Sequence, residues 1–104
     1  MAKRKEFNAG DIVRPHAIIG CTLYPIDEAG QIRFRTHHDN DLWNYTIYLR
    51  GFEPIVIEDG VPYNAAGDAP AGKRFLDVYG YVKVNYVGII YATRINGIVK
   101  IGKD

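Results

Sequence analysis

Apolar positions in this chain recur in short alternating or continuous runs, separated by clusters of Gly, Asn, Asp and Pro. That rhythm belongs to strands and turns. The densest run is residues 75–101, FLDVYGYVKVNYVGIIYATRINGIVKI, rich in Val, Ile and Tyr and without proline. β-Branched and aromatic side chains suit a pleated, half-buried surface. Residues 75–85 are expected to form one strand, 89–95 a second and 98–101 a third. Asn96-Gly97 supplies a type I′ turn that pairs Ile95 with Ile98. Val82 and Val84 then share one face of the meander, with Tyr81 and Lys83 on the other. Which face is buried is left open by the pattern. Gly80 marks a bulge or a close backbone approach.

Upstream, a turn at residues 8–11 launches a strand over 12–21, where Pro15 implies an edge strand or a break into two pieces. Asp27-Glu28-Ala29-Gly30 is a turn. Residues 31–36 (QIRFRT) alternate, with Ile32 and Phe34 on one face and Arg33 and Arg35 on the other. Residues 42–49 (LWNYTIYL) are apolar on both faces and are read as a central strand. Residues 53–58 form a short strand that ends in an Asp59-Gly60 hairpin signal, followed by a Gly/Ala/Pro-rich loop over 61–72. No segment of helical length carries i, i+3, i+4, i+7 spacing, so little or no helix is expected. The fold class is all-β: a single small antiparallel barrel or tight sandwich, SH3-like or OB-like.

The stretch Asn8-Ala9-Gly10-Asp11-Ile12-Val13-Arg14 resembles the Gly-Asp-x-Val opening of many SH3-like barrels, KOW-type and Tudor-like modules among them. The likeness covers about seven of the 104 residues and carries no functional residue across.

Length then bounds the organisation. A chain of 104 residues can bury a self-supporting core without a metal or disulfide staple. Residues 1–9, with Lys3, Arg4 and Lys5, are expected to be a flexible basic tail ahead of a single β-domain over 10–104. One cysteine, Cys21, rules out an intramolecular disulfide and fits a reducing cytosol. No apolar run follows the charged start, and none approaches the roughly 18 residues of a membrane helix. A cytoplasmic protein with no membrane association is expected.

The net charge of +1 hides an asymmetry. Residues 1–35 carry +2, residues 36–72 carry −5 and residues 73–104 carry +4. Such a division can place opposite signs on different faces.

Candidate chemistry is sparse. His37, His38, Asp39, Asn40 and Asp41 include metal-binding residue types, but neighbours on a strand point to opposite sides and HExxH spacing is absent. A polar turn accounts for them, and no metal is expected. His16 and Cys21 lie too far apart on an extended strand for nucleophilic catalysis. The acid pairs Asp27-Glu28 and Glu58-Asp59 sit at turns. No phosphate-binding glycine motif occurs, so neither enzyme nor cofactor is expected.

Binding is the remaining class. Aromatics anchor protein interfaces, and this chain has eight tyrosines and one tryptophan. The leading expectation is a non-enzymatic module that docks onto a protein partner, as an accessory, regulatory or virus-encoded factor would. The alternative is a nucleic-acid-binding barrel with a cation–tyrosine sheet face. Its residues would be Lys3, Arg4, Lys5, Arg33, Arg35, Tyr79, Tyr81, Lys83, Tyr91, Arg94 and Lys100. The pI of about 7.9 is low for that role. A structural subunit, or a homo-oligomer joined through unpaired edge strands, is a third reading.

Overall fold

The computed structural model describes residues 6–33, 46–65 and 68–103. Seven strands make one antiparallel sheet: β1 (Asp11–Pro15), β2 (Cys21–Pro25), β3 (Ile47–Leu49), β4 (Ile55–Tyr63), β5 (Tyr81–Tyr86), β6 (Ile89–Arg94) and β7 (Ile98–Lys103). A helix, α1 (Lys73–Tyr79), bridges β4 and β5, and a 3₁₀ turn (Ile95–Gly97) bridges β6 and β7. The spatial order is β3-β2-β6-β5-β4-β1-β7, curled into a half-barrel. The all-β, barrel-like expectation holds.

Alternation decides what is inside. Val13, Leu23, Ile55, Ile57, Val82, Val84, Ile95 and Ile98 are fully buried in the curl, with Tyr91 beside them. Side chains on successive strand residues point to opposite faces. The neighbours Tyr24, Tyr81 and Ala92 therefore lie on the outer face, where they cluster with Ile26, Ile32, Tyr63 and Ala65. The C-terminal strands are thus covered on both faces, the inner one by the main core.

Several local expectations give way to tertiary structure. Residues 75–79 are helical, not extended: Phe75, Val78 and Tyr79 fall at i, i+3, i+4, and the helix stops at Gly80, whose N–H donates to Leu76 O at 2.8 Å. Gly80 is nevertheless a close backbone approach, since a Cβ there would meet Leu76 O and Pro62. Asn96-Gly97 makes no hairpin. The 3₁₀ turn sends β7 away from β6 to pair with β1, with Pro15 opposite Ile98 and Arg14 opposite Val99. His16 N–H holds that corner by donating to Gly97 O at 2.8 Å.

Asp59-Gly60 is no turn either. β4 runs straight through it to Tyr63, with register irregularities against β5. The reason is the N-terminal segment: Phe7 is buried in the main core rather than frayed, and its carbonyl passes over Gly60 where a side chain would collide. The buried core therefore takes in Phe7, ahead of residue 10. Pro15 breaks the first expected strand into β1 and β2, one of the two outcomes foreseen. In the intervening turn His16 Nδ1 accepts from the N–H groups of Ile18 and Ile19. Ile47–Leu49 pairs with β2 and is an edge strand among the described residues, where a central one was expected. Ile32 makes one bridge to Ile26, while residues 34–36, 37–41 and 42–45 lie outside the described residues.

The true type I′ turn joins β5 and β6 at Val87 (φ 52°) and Gly88 (φ 81°). A β-branched residue is strained at positive φ, where Asn is tolerated. Val87 is also exposed, so it returns no packing energy. Val87→Asn is expected to stabilise the protein by about 1 kcal/mol, seen as a raised urea midpoint at unchanged m-value.

Candidate functional site

The outer face gathers part of the cation–tyrosine set. Tyr81 begins β5 and is 2% exposed. Tyr24 stands edge-on to it at 5.9 Å and Tyr63 lies at 6.4 Å. The Arg94 guanidinium sits 4.6 Å over the Tyr81 ring, while Nη1 donates to Tyr79 O at 2.8 Å. Lys83 places its Nζ 5.6 Å from the Tyr63 ring. Tyr79 is half-exposed on α1, its ring 5.0 Å from that of Phe75. Tyr79, Tyr81, Lys83 and Arg94 are thus brought together.

The others are not. Tyr91 projects into the main core. Lys100 lies on β7 and pairs at 3.1 Å with Asp11, which also accepts from Asn8 N–H at 2.8 Å. Arg33 is half-buried, its own N–H donating to Pro25 O at 2.8 Å. Lys3, Arg4, Lys5 and Arg35 lie outside the described residues. The Tyr81 and Tyr91 rings have no open faces to offer a base, which takes support from the nucleic-acid reading.

Burial sets the titration. It pushes the Cys21 thiol up to about 11, with a nearby Glu53 adding to the effect and a hydrogen bond with Thr93 opposing it. Burial, then Tyr81 and Asp59, push Tyr63 up to about 12. Burial raises Tyr81 too, against the pull of Arg94, and raises Tyr91. At neutral pH all four are protonated, and Cys21 is no thiolate nucleophile. Among the described residues no group of three His, Cys, Asp or Glu side chains is placed to hold a metal.

A raised acid pKa means that the unfolded chain releases its proton first as pH rises, so stability falls with increasing pH. For Cys21 the loss spans its ordinary value of 9.0 to about 11, and for Tyr63 it spans 10.0 to about 12. Urea midpoints should drop progressively across that alkaline window. Cys21→Ala should flatten the lower part and Tyr63→Phe the upper; an unchanged slope in both would refute this.

Three surface features bear on binding. An acidic cleft of about 510 Å³ is lined by Glu6, Glu58, Asp59 and Asp77 with Val61 and Pro62. A small hollow of about 100 Å³ lies among Ile19, Thr22, Tyr24, Thr93, Arg94 and Asn96. Next to that hollow is an apolar surface that strand periodicity did not reveal. Ile18 and Phe52 are 79% and 81% exposed, and Ile19 and Tyr48 about half. Tyr48 OH donates to Ile19 O at 2.8 Å, and Gly20 (φ 70°) lets the chain pass close under that ring. The Arg14 guanidinium sits 5.4 Å over the Phe52 ring. The only advance signal was Phe52 itself, a large aromatic isolated between Gly51 and Glu53.

Fold and surface together define a small all-β, barrel-like protein with large apolar side chains exposed on its outside. The chain matches no known protein-family model, no curated protein and no solved structure. No helix among the described residues is long and apolar enough to cross a membrane.

Proposed function

We propose that this protein is a non-enzymatic docking module that holds a protein partner on the surface formed by Ile18, Ile19, Tyr48 and Phe52, in an accessory or regulatory role. One observation carries the reading: Ile18 and Phe52 stand in water and Ile19 and Tyr48 are half-exposed, with a hydrogen bond holding the Tyr48 ring and a cation–π contact with Arg14 holding that of Phe52. Exposed large apolar side chains of this kind serve interaction sites, and the two held aromatics lose little entropy on binding. The adjoining hollow of about 100 Å³ has room for one anchoring side chain of the partner. Arg14, seated over the Phe52 ring, favours a partner with a carboxylate beside an apolar centre. The path β7-β1-β4-β5-β6, with a 3₁₀ turn before a last strand that pairs with the first, supports an SH3-like assignment within the barrel class.

The test is affinity capture from a cell extract by the wild-type protein, Ile18→Ser and Phe52→Ser, each with and without nuclease. Both positions are exposed, so neither change should move the melting temperature appreciably. The expected result is a protein captured by wild type, lost with either substitution and retained after nuclease. Capture unaffected by the substitutions would overturn the proposal. Capture abolished by nuclease would return the reading to nucleic acid.

A further inference from the structure

The guanidinium of Arg94 is held in place from two sides. It lies 4.6 Å over the Tyr81 ring, and its Nη1 donates to Tyr79 O at 2.8 Å. Those contacts fix the plane of the fork but use only one of an arginine's five N–H groups. The residue is exposed, and no carboxylate among the described residues pairs with it. Arg94 also lines the hollow of about 100 Å³ beside the docking surface, together with Ile19, Thr22, Tyr24, Thr93 and Asn96. No Asp or Glu takes part in that wall, so its only charge is positive. Glu53, whose charge is felt at Cys21, stands outside it. Two of the other polar groups satisfy each other, since Thr93 Oγ1 donates to Thr22 O at 2.7 Å. Asn96 is different. It is half-buried in the 3₁₀ turn, and its side-chain amide makes no hydrogen bond with the described residues. One small recess thus keeps a positioned guanidinium and an unused amide.

We propose that this hollow is the subsite for a Glu or Asp side chain of the protein partner, with Arg94 and Asn96 as its donors. The inference rests on the docking surface at Ile18, Ile19, Tyr48 and Phe52 and names the chemistry that anchors a partner there. Ile19 belongs to both features, so a carboxylate in the hollow places the partner's neighbouring apolar residue against Ile18 and Phe52. A hydrogen bond from guanidinium to carboxylate is charge-assisted and short. An arginine that is already positioned loses little freedom in making it. The Asn96 amide can donate to the second carboxylate oxygen. A phosphate group would bring nearly two charges and three acceptor oxygens, more than one guanidinium edge and one amide can satisfy. The small volume of the recess likewise suits a carboxylate on one or two methylenes. Arg14, over the Phe52 ring, adds a second cation that favours the same acidic partner.

The full chain, probed at physiological salt against an array of short random-sequence peptides, tests the proposal. Wild type is compared with Arg94→Gln, Asn96→Ala and Phe52→Ser, the fold of each checked by circular dichroism and thermal melting. Wild type is expected to retain peptides that combine Asp or Glu with Leu, Ile, Phe or Trp. In such a peptide, Glu→Gln should weaken binding roughly ten- to a hundredfold, the worth of a hydrogen bond to a charged group. Arg94→Gln should weaken it as much and leave the protein indifferent to the Glu→Gln change in the peptide. Asn96→Ala should weaken binding less, and Phe52→Ser should abolish it. Retention of apolar peptides without acidic residues, lost in Phe52→Ser, would overturn the carboxylate subsite and leave the docking surface standing. An acidic preference that survives Arg94→Gln, or a stronger preference for phosphorylated peptides, would overturn the subsite in the same way. Retention of no peptide, or retention indifferent to Phe52→Ser, would remove the docking reading and the subsite together.

Discussion

Gly60→Ala is expected to cost about 3 kcal/mol or more, measured by urea denaturation. The new methyl would meet the carbonyl carbon and oxygen of Phe7, which are backbone atoms and cannot rotate away as a side chain would. Two adjustments are open. Either β4 shifts against β5, where the register is already irregular at Asp59, or the N-terminal segment lifts off. The second withdraws Phe7 from the main core and disturbs the Gly10 N–H bond to Ile57 O at 2.9 Å. Emptying a buried Phe site costs about 3–5 kcal/mol, so Phe7→Ala should cost a similar amount. If the substitutions share one mechanism, the double variant will be much less destabilised than the sum of the singles. Full additivity, or a harmless Gly60→Ala, would show that Phe7 does not lie across Gly60.

Tyr81→Ala is expected to cost about 3 kcal/mol or more. Tyr81 is 2% exposed and is the ring that Tyr24, Tyr63 and Arg94 all meet. Its removal opens the whole outer cluster. Arg94→Ala removes the cation over the ring and the hydrogen bond to Tyr79 O, and should cost about 1 kcal/mol, since the guanidinium is exposed. That ordering separates a structural outer core from a contact surface. If Arg94 proved the costlier change, the face would be organised around its charge rather than its packing.

Strand alternation carried much of the fold. Val82 and Val84 face inward and Tyr81 and Lys83 outward, as their spacing requires. Three local signals misled, each for a nonlocal reason. Asn96-Gly97 is the dipeptide that favours a type I′ turn, yet Ile95 and Ile98 on either side are both buried and β7 gains more by pairing with β1. Asp59-Gly60 signals a hairpin, yet Phe7 crossing over Gly60 accompanies a β4 that stays extended through it. Residues 75–79 are strand formers by composition, and only their i, i+3, i+4 spacing hints at a helix too short to show a periodic pattern. The candidate site was partly legible for the same reason. Pattern put Tyr81 and Lys83 on one face, but it could not show that Tyr24 and Tyr63, arriving from distant strands, would bury the ring. Nor could it show Ile18 and Phe52 standing in water, because apolar residues in turns carry no period at all.

The pairing of β1 with β7 also bears on how the chain reaches this shape. Ile98, opposite Pro15, completes the main core, and the two lie more than eighty positions apart in sequence. Closing so long a loop costs entropy before any contact repays it, and nonlocal antiparallel topologies fold in milliseconds to seconds rather than microseconds. During synthesis, β4, β5 and β6 can assemble as a local meander, but the core stays open until β7 has left the ribosome. In that interval the β7-side edge of β1 and the apolar faces of Ile55 and Val82 are exposed together, the condition under which nascent β-proteins aggregate or recruit chaperones.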